Sequence, residues 1–283
     1  MIWLLLLFAE KPPVPTGLDA YLPVPDANPM TREKVELGKK LFFDPRLSRD
    51  GTVSCGTCHK PELAFSDARP RATGIEGRMG RRRSPRIINR AWGRSFFWDG
   101  RAATLEEQVL KPIADPNEMD LAVEAAAARV GLSVVALQHA LSSYVRTILA
   151  GDSPLDRYLA GESTALNAGE RQGLRLFRGK AGCAACHLGP NLTDEKLHVT
   201  GAGEPGDRGA FKTPTLREAA RTPPYMHDGS LATLEDVIEF YDQGGKPHPQ
   251  LDAEMRRLNL TSEEKAALAA FLRALNGVVR DGL

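Results

Sequence analysis

Two five-residue motifs, Cys55-Gly56-Thr57-Cys58-His59 and Cys183-Ala184-Ala185-Cys186-His187, hold all 4 cysteines of the 283-residue chain. Two thiols at this spacing can form thioethers to the two vinyl carbons of a porphyrin, and the adjacent histidine then points at the iron. A Cys-x-x-Cys pair alone leaves a zinc site or a redox dithiol open. Two copies, each followed by His and with no cysteine left over, favour two covalently attached haems. The thiols are then consumed, so no disulfides are expected. Covalent haem also places the mature protein outside the cytoplasm, in the periplasm.

An iron held by one histidine either takes a second axial ligand or keeps that position open. The choice separates an electron carrier from a catalyst. The remaining histidines are His139, His198, His227 and His248. His139 falls in an apolar-periodic stretch and reads as a satisfied helix residue. His248, between two prolines, reads as a surface residue. His198 and His227 lie in loops of the second half, where contact with haem propionates is one option. Met79 is the one soft ligand between the first motif and Pro85, and a lone loop methionine is more often not a ligand.

The elements that position these residues are mostly helical. Ala, Leu, Glu and Arg are plentiful while β-branched and aromatic residues are sparse. A short amphipathic helix leads into each motif, Gly38-Lys39-Lys40-Leu41-Phe42 before the first and Gly173-Leu174-Arg175-Leu176-Phe177 before the second. In both, the glycine lies on the helical side of the Phe, where it permits close approach. This weak repeat predicts two similar units, with the break inside 151–170. Further helices are expected over Leu132–Leu149, from Thr233 with Asp236 as capping partner, and from Thr261 with Glu264 in the same role. The stretch Ser66–Pro85, rich in Gly and Arg, reads as a long functional loop. Its arginines Arg78, Arg81, Arg82 and Arg83, with Arg86 just beyond, suit haem propionates, an acidic partner or plain solvent exposure.

Composition bounds the rest. Hydrophobic residues at 42% and charged residues at 26% are ordinary for a globular chain, and a net charge of +1 points to no nucleic-acid partner. The apolar run Met1–Ala9 is too short to span a bilayer, and it matches the core of a secretion signal without the usual basic residues ahead of it. No later stretch is long enough to span. The expected fold class is mainly α. A signal segment is expected at 1–10, possibly truncated, then two cytochrome c-like domains at 11–160 and 161–283, each around one c-type haem.

Four further blocks accompany the motifs. They are Leu41-Phe42-Phe43-Asp44 with Leu47-Ser48; Phe97-Trp98-Asp99-Gly100-Arg101-Ala102 followed by Gln108 and Glu118; Ser153-Pro154 with Asp156-Arg157-Tyr158; and Thr213-Pro214-Thr215-Leu216-Arg217 with Pro224-Tyr225-Met226-His227-Asp228-Gly229. With them the chain resembles bacterial di-haem cytochrome c peroxidases from Leu37 to Leu275, and within that group the MauG-like branch. The resemblance implies that the His59 haem reacts with hydrogen peroxide, with Gln108 and Glu118 as its distal pair. A carboxylate there can shuttle the proton that O–O cleavage requires, while an amide orients the bound oxygen. It also implies that Trp98 relays electrons between the haems.

At the second haem, ordinary members carry an axial methionine seventeen residues after the proline matching Pro224, and here that position is Tyr241. A phenolic oxygen is a hard donor that favours higher oxidation states, whereas a thioether favours reduced iron. His187 and Tyr241 are therefore the expected ligands of the second iron, with Met226 and Met255 as the fallback. The resemblance further places calcium between the domains on the Thr222 and Pro224 carbonyls. Arg83 stands where the family has an Asn ligand, and a guanidinium cannot ligate a cation, which argues against calcium.

The implied partners are hydrogen peroxide and a small electron-donor protein, a c-type cytochrome or cupredoxin. With no distal His or Met in view at the first haem, activity is expected without prior reductive activation. One alternative is MauG-type oxidation of Tyr or Trp residues on a partner protein, although Ala181 occupies the position of that enzyme's surface tryptophan. Another is a non-enzymatic di-haem electron carrier. A cysteine-ligated zinc protein is the distant last.

Overall fold

Helix order follows the apolar periodicity of the sequence. The helices are α1 (Arg32–Phe42), α2 (Cys55–Cys58), α3 (Leu105–Ala114), α4 (Val123–Arg129), α5 (Val134–Arg146), α6 (Pro154–Leu159), α7 (Ala168–Arg178), α8 (Leu234–Asp242) and α9 (Ser262–Arg273). Short strands β1 (Leu149–Gly151), β2 (Leu197–His198), β3 (Phe211–Lys212) and β4 (Val278–Arg280) complete the chain. This computed structural model describes residues 10–204, 207 and 209–283. The export segment expected at 1–10 lies outside them except for Glu10. Among the described residues no single helix is long and apolar enough to cross a membrane.

Each half is built on one helix pair. Helix α1, capped by Thr31, buries Val35, Gly38, Leu41 and Phe42 and packs on α5. Helix α7, capped by Asn167, buries Gly173, Leu174 and Phe177 and packs on α9. The glycines are required by that packing. A Cβ on Gly38 would lie 2.0 Å from the Ala140 carbonyl oxygen, and one on Gly173 would lie 2.1 Å from that of Ala267. The rings follow suit: Phe42 meets Tyr144 at 5.1–5.2 Å spacing shared with its twin, being 5.2 Å from it while Phe177 is 5.1 Å from Phe271. Two apolar cores result, one around Leu41, Phe42, Phe65, Leu141 and Tyr144, the other around Leu155, Phe177, Ile238, Leu268 and Phe271.

Helices α8 and α9 start at Thr233 and Thr261, where capping boxes with Asp236 and Glu264 satisfy the first amides. The helix expected over Leu132–Leu149 is shorter. It is capped by Ser133 and ends at Arg146, and Leu149–Gly151 instead pairs antiparallel with Val278–Arg280. Apolar periodicity could not reveal this, because the competing backbone partner is more than a hundred residues away. The pairing returns the C-terminus to the first half, where the Tyr144 hydroxyl donates to Asp281 at 2.7 Å.

Candidate functional site

The first motif opens as a short helix in which the Ser54 amide donates to Thr57 Oγ1 at 3.0 Å. His59 then sits with Nδ1 2.9 Å from the Phe65 carbonyl. That bond fixes the tautomer with the proton on Nδ1 and leaves Nε2 as the free donor to a metal. Burial pushes the His59 pKa below its ordinary value, so the ring is neutral, as ligation requires. Burial likewise pushes the Cys55 thiol up to about 12 and the Cys58 thiol to about 11.

A cavity of about 490 Å³ opens above this motif, lined by Cys55, Cys58, His59, Trp98, Gln108 and Glu118 among others. Gln108 rides on α3. Glu118 follows a turn made by Asp115, whose side chain accepts from the Asn117 amide at 2.8 Å while its carbonyl accepts from the Glu118 amide at 3.0 Å. The loop carrying Gly74 closes over this turn. The Ile75 amide donates to the Glu118 carbonyl at 2.9 Å, and a Cβ on Gly74 would lie 2.1 Å from the Asn117 carbonyl oxygen. Burial, reinforced by the Asp115 charge and opposed by Arg101, raises the Glu118 carboxyl to about 7. A carboxyl at that value can both take up and release a proton near neutrality.

The second motif repeats this geometry. His187 Nδ1 lies 3.1 Å from the Leu192 carbonyl, and burial drives its pKa to about 4. The Phe177 ring lies 6.5 Å from His187 at 45°, against 6.5 Å and 44° for Phe42 and His59. Tyr241, on α8, is close enough to the Cys183 and Cys186 thiols for them to add to the rise that burial causes in its pKa. His198 is held between Asp194, at 2.9 Å, and Asp252, while His227 faces Asp207 at 3.2 Å and stacks on Phe211. Met79 is 66% exposed. It points into solvent.

A longer repeat lies beneath the motifs. Phe96 bridges Ala102, and Tyr225 bridges Leu231, each around a seven-residue turn with Asp-Gly at its centre. Phe97 and Met226, at φ 67° and 66°, occupy equivalent places, as do Gly100 and Gly229. Thr104 then caps α3 and Thr233 caps α8. The eighth residue of α3 is Pro112, lining the first cavity, and the eighth residue of α8 is Tyr241. Trp98 corresponds to His227, and Arg83 to Lys212, by the same offset. Across the seam the halves exchange backbone bonds: Arg83 N donates to the His227 carbonyl at 2.9 Å and Lys212 N to that of Trp98 at 2.7 Å. The Trp98 indole donates to the Arg83 carbonyl at 3.0 Å.

The di-haem cytochrome c peroxidase family matches residues 32–164, and the cytochrome c family matches residues 171–276. Methylamine utilization protein MauG of Methylorubrum extorquens is 43% identical, over 90% of this chain and 81% of that protein. The chain belongs to the di-haem cytochrome c peroxidase/MauG family. Cytochrome-c peroxidase IdrP1 of a Pseudomonas species is 33% identical, over 90% of this chain and 84% of its own. A solved MauG-like protein associated with microbial copper homeostasis superposes with a TM-score of 0.81 at 34% identity, covering 95% of each chain. Family membership fixes the cofactor as haem c and fits two copies.

The residues present suit haem. Each Cys pair stands beside a half-buried, oriented, neutral histidine. In the first cavity the buried Nε–H groups of Arg82, Arg83 and Arg86 have no hydrogen-bond partner among the described residues, as donors for the carboxylates of a bound porphyrin would. The basic stretch is therefore divided: Arg83 is 4% exposed, whereas Arg81 is exposed and Arg78 reaches Glu76 and Asp120 on the surface. At the expected calcium position the Thr222 carbonyl instead accepts from Arg83 Nη2 at 2.9 Å, and a guanidinium there would repel a divalent cation.

Sequence reasoning passed over Pro112 and Lys212. The clue was available in Ala103-Thr104-Leu105-Glu106 and Ala232-Thr233-Leu234-Glu235, which align the two helices residue for residue.

Proposed function

We propose that the chain is an exported di-haem peroxidase that reduces hydrogen peroxide to two waters, consuming two electrons from a small donor protein and two protons. Its first haem domain would be 11–160 and its second 161–283. Haem c, when bound, supplies at each motif an iron that exchanges electrons, and at His59 an open coordination position where peroxide is reduced. Cys55 with Cys58, and Cys183 with Cys186, would hold the two porphyrins covalently. The Phe65 and Leu192 carbonyls keep the two histidine rings aimed.

Glu118 would accept a proton from the near oxygen of peroxide and return it to the far one, while the Gln108 amide orients the oxygen pair. Trp98, bonded to both halves of the seam, is the group suited to pass electrons between the sites. Tyr241 would complete the second iron's coordination. A cation at its oxygen would offset the burial that otherwise keeps the phenol protonated. The observation that carries this reading is that one cavity joins the His59 motif to Glu118, a carboxyl poised at about 7.

A second reading, oxidation of a partner protein, is favoured by the similarity to proteins named MauG. Against it, Ala181 is buried at 7% exposure where such an enzyme has its surface tryptophan.

The test is to add peroxide to the resting ferric holoprotein and follow optical and EPR spectra, then turnover with a reduced c-type cytochrome. A high-spin first haem that reacts without prior reduction is expected, with Tyr241→Met changing the ligand signature of the second haem alone. An inert protein would make it an electron carrier, and a low-spin, six-coordinate first haem would remove the open site.

A further inference from the structure

Thr222 is fully buried, so its carbonyl must find a donor inside the protein. Arg83 supplies it. The same guanidinium reaches Ser66 Oγ at 3.3 Å, and Ser66 in turn donates to the Ser84 carbonyl at 2.8 Å. Its counter-charge is Asp67, 5% exposed, whose Oδ2 accepts from Ser84 Oγ at 3.2 Å. Three residues on, Arg86 donates to Thr222 Oγ1 and to the Thr215 carbonyl. Burial of the pair lowers both guanidinium pKa values to about 10, with Arg83 adding to the fall at Arg86. A third positive charge at this place would be repelled by both and would compete with Arg83 for the Thr222 carbonyl.

We propose that Arg83 is a built-in cation that replaces a bound divalent ion at the seam and, as a positioning residue, fixes the carbonyl that holds Trp98. One arginine does three things here. Its side chain joins the Ser66 loop to Thr222 of the other half, its N–H takes the His227 carbonyl, and its carbonyl takes the Trp98 indole. The repeat supplies independent support. The equivalent residue, Lys212, is also a basic side chain at the seam, 3.4 Å from Glu195, which itself carries a bidentate pair with Arg90 of the first half; burial lowers the Lys212 pKa to about 7. Each half thus places a basic side chain beside the backbone bond that crosses to the other half. The relay geometry would then be independent of ambient calcium.

The test uses the holoprotein and needs no peroxide turnover, so it stands apart from the proposed activity. Calcium content is measured after equilibration with calcium chloride and gel filtration, and melting is followed with calcium or with a chelator. The wild type should retain no stoichiometric calcium and melt at the same temperature in both. Arg83→Asn, which removes the guanidinium and offers an amide oxygen beside the freed Thr222 carbonyl, should melt lower and recover with calcium. Arg83→Lys, which keeps the charge, should lie between them without calcium dependence. Stoichiometric calcium in the wild type, or a chelator-induced fall in its melting temperature, overturns the proposal whether or not the variants fold. So does an Arg83→Asn protein that melts lower and ignores calcium.

Discussion

Helices α3 and α8 open on the same Ala-Thr-Leu-Glu sequence, follow the same seven-residue turn and face the same kind of Cys-x-x-Cys-His motif, yet their eighth residues are Pro112 and Tyr241. The two halves therefore share a frame down to the 6.5 Å spacing of phenylalanine and histidine rings, and differ at this position as they do at Trp98 and His227. A pyrrolidine ring has no donor atom to offer, so the first half leaves a cavity into which Gln108 and Glu118 project. A phenol fills the corresponding place in the second half. On the proposed function, the same frame serves as a reaction chamber in the first half and as a closed electron site in the second.

The largest effect that would expose this inequality is on turnover. Replacing Glu118 by Gln keeps the shape and removes the proton carrier, so kcat/KM for peroxide should fall by about 10²–10⁴-fold. The optical signature of the His187 haem should stay unchanged. A variant that reduces peroxide at the parent rate would show that proton transfer in the first half does not pass through this carboxyl.

Stability should change next, and again in the first half only. The Glu118 carboxyl titrates near 4.5 when unfolded and at about 7 when folded. Between those values the folded state binds more protons, so stability falls as pH rises from 4.5 to 7 and stays lower above. The shift corresponds to about 3 kcal/mol. Denaturant titrations of the holoprotein across this range should show that decline in the wild type and not in Glu118→Gln. Parallel curves would mean that water or the cofactor solvates the carboxyl.

Much of this was legible in the residues. The Cys-x-x-Cys-His motifs are local, and so are Gly38 and Gly173, whose close helix contacts follow from spacing alone. The capping boxes at Thr233 and Thr261 were readable for the same reason. What escaped was non-local. Strand β1 was read as the end of a helix because its partner, Val278–Arg280, lies at the far terminus. The basic stretch could be read as a solvated loop because nothing in Arg82-Arg83-Ser84-Pro85-Arg86 announces that Thr222 and Thr215 wait across the seam. Glu118 was legible only through the resemblance, because the Gly74 loop that closes over its turn is more than forty residues away.

The smallest effects test whether the halves are separable. Thr104→Ala and Thr233→Ala each remove a side-chain oxygen that accepts from the third amide of its helix. Each should cost about 1 kcal/mol of stability. Their functional consequences should diverge because of what each helix carries. Fraying α3 loosens Gln108 and should lower the peroxide rate with the second haem's spectrum intact. Fraying α8 loosens Tyr241 and should broaden the ligand signature of the second haem while leaving the initial reaction with peroxide close to wild type. Should both caps disturb both haems alike, the exchange of bonds through Arg83, Lys212 and Trp98 couples the sockets tightly enough that neither half acts alone.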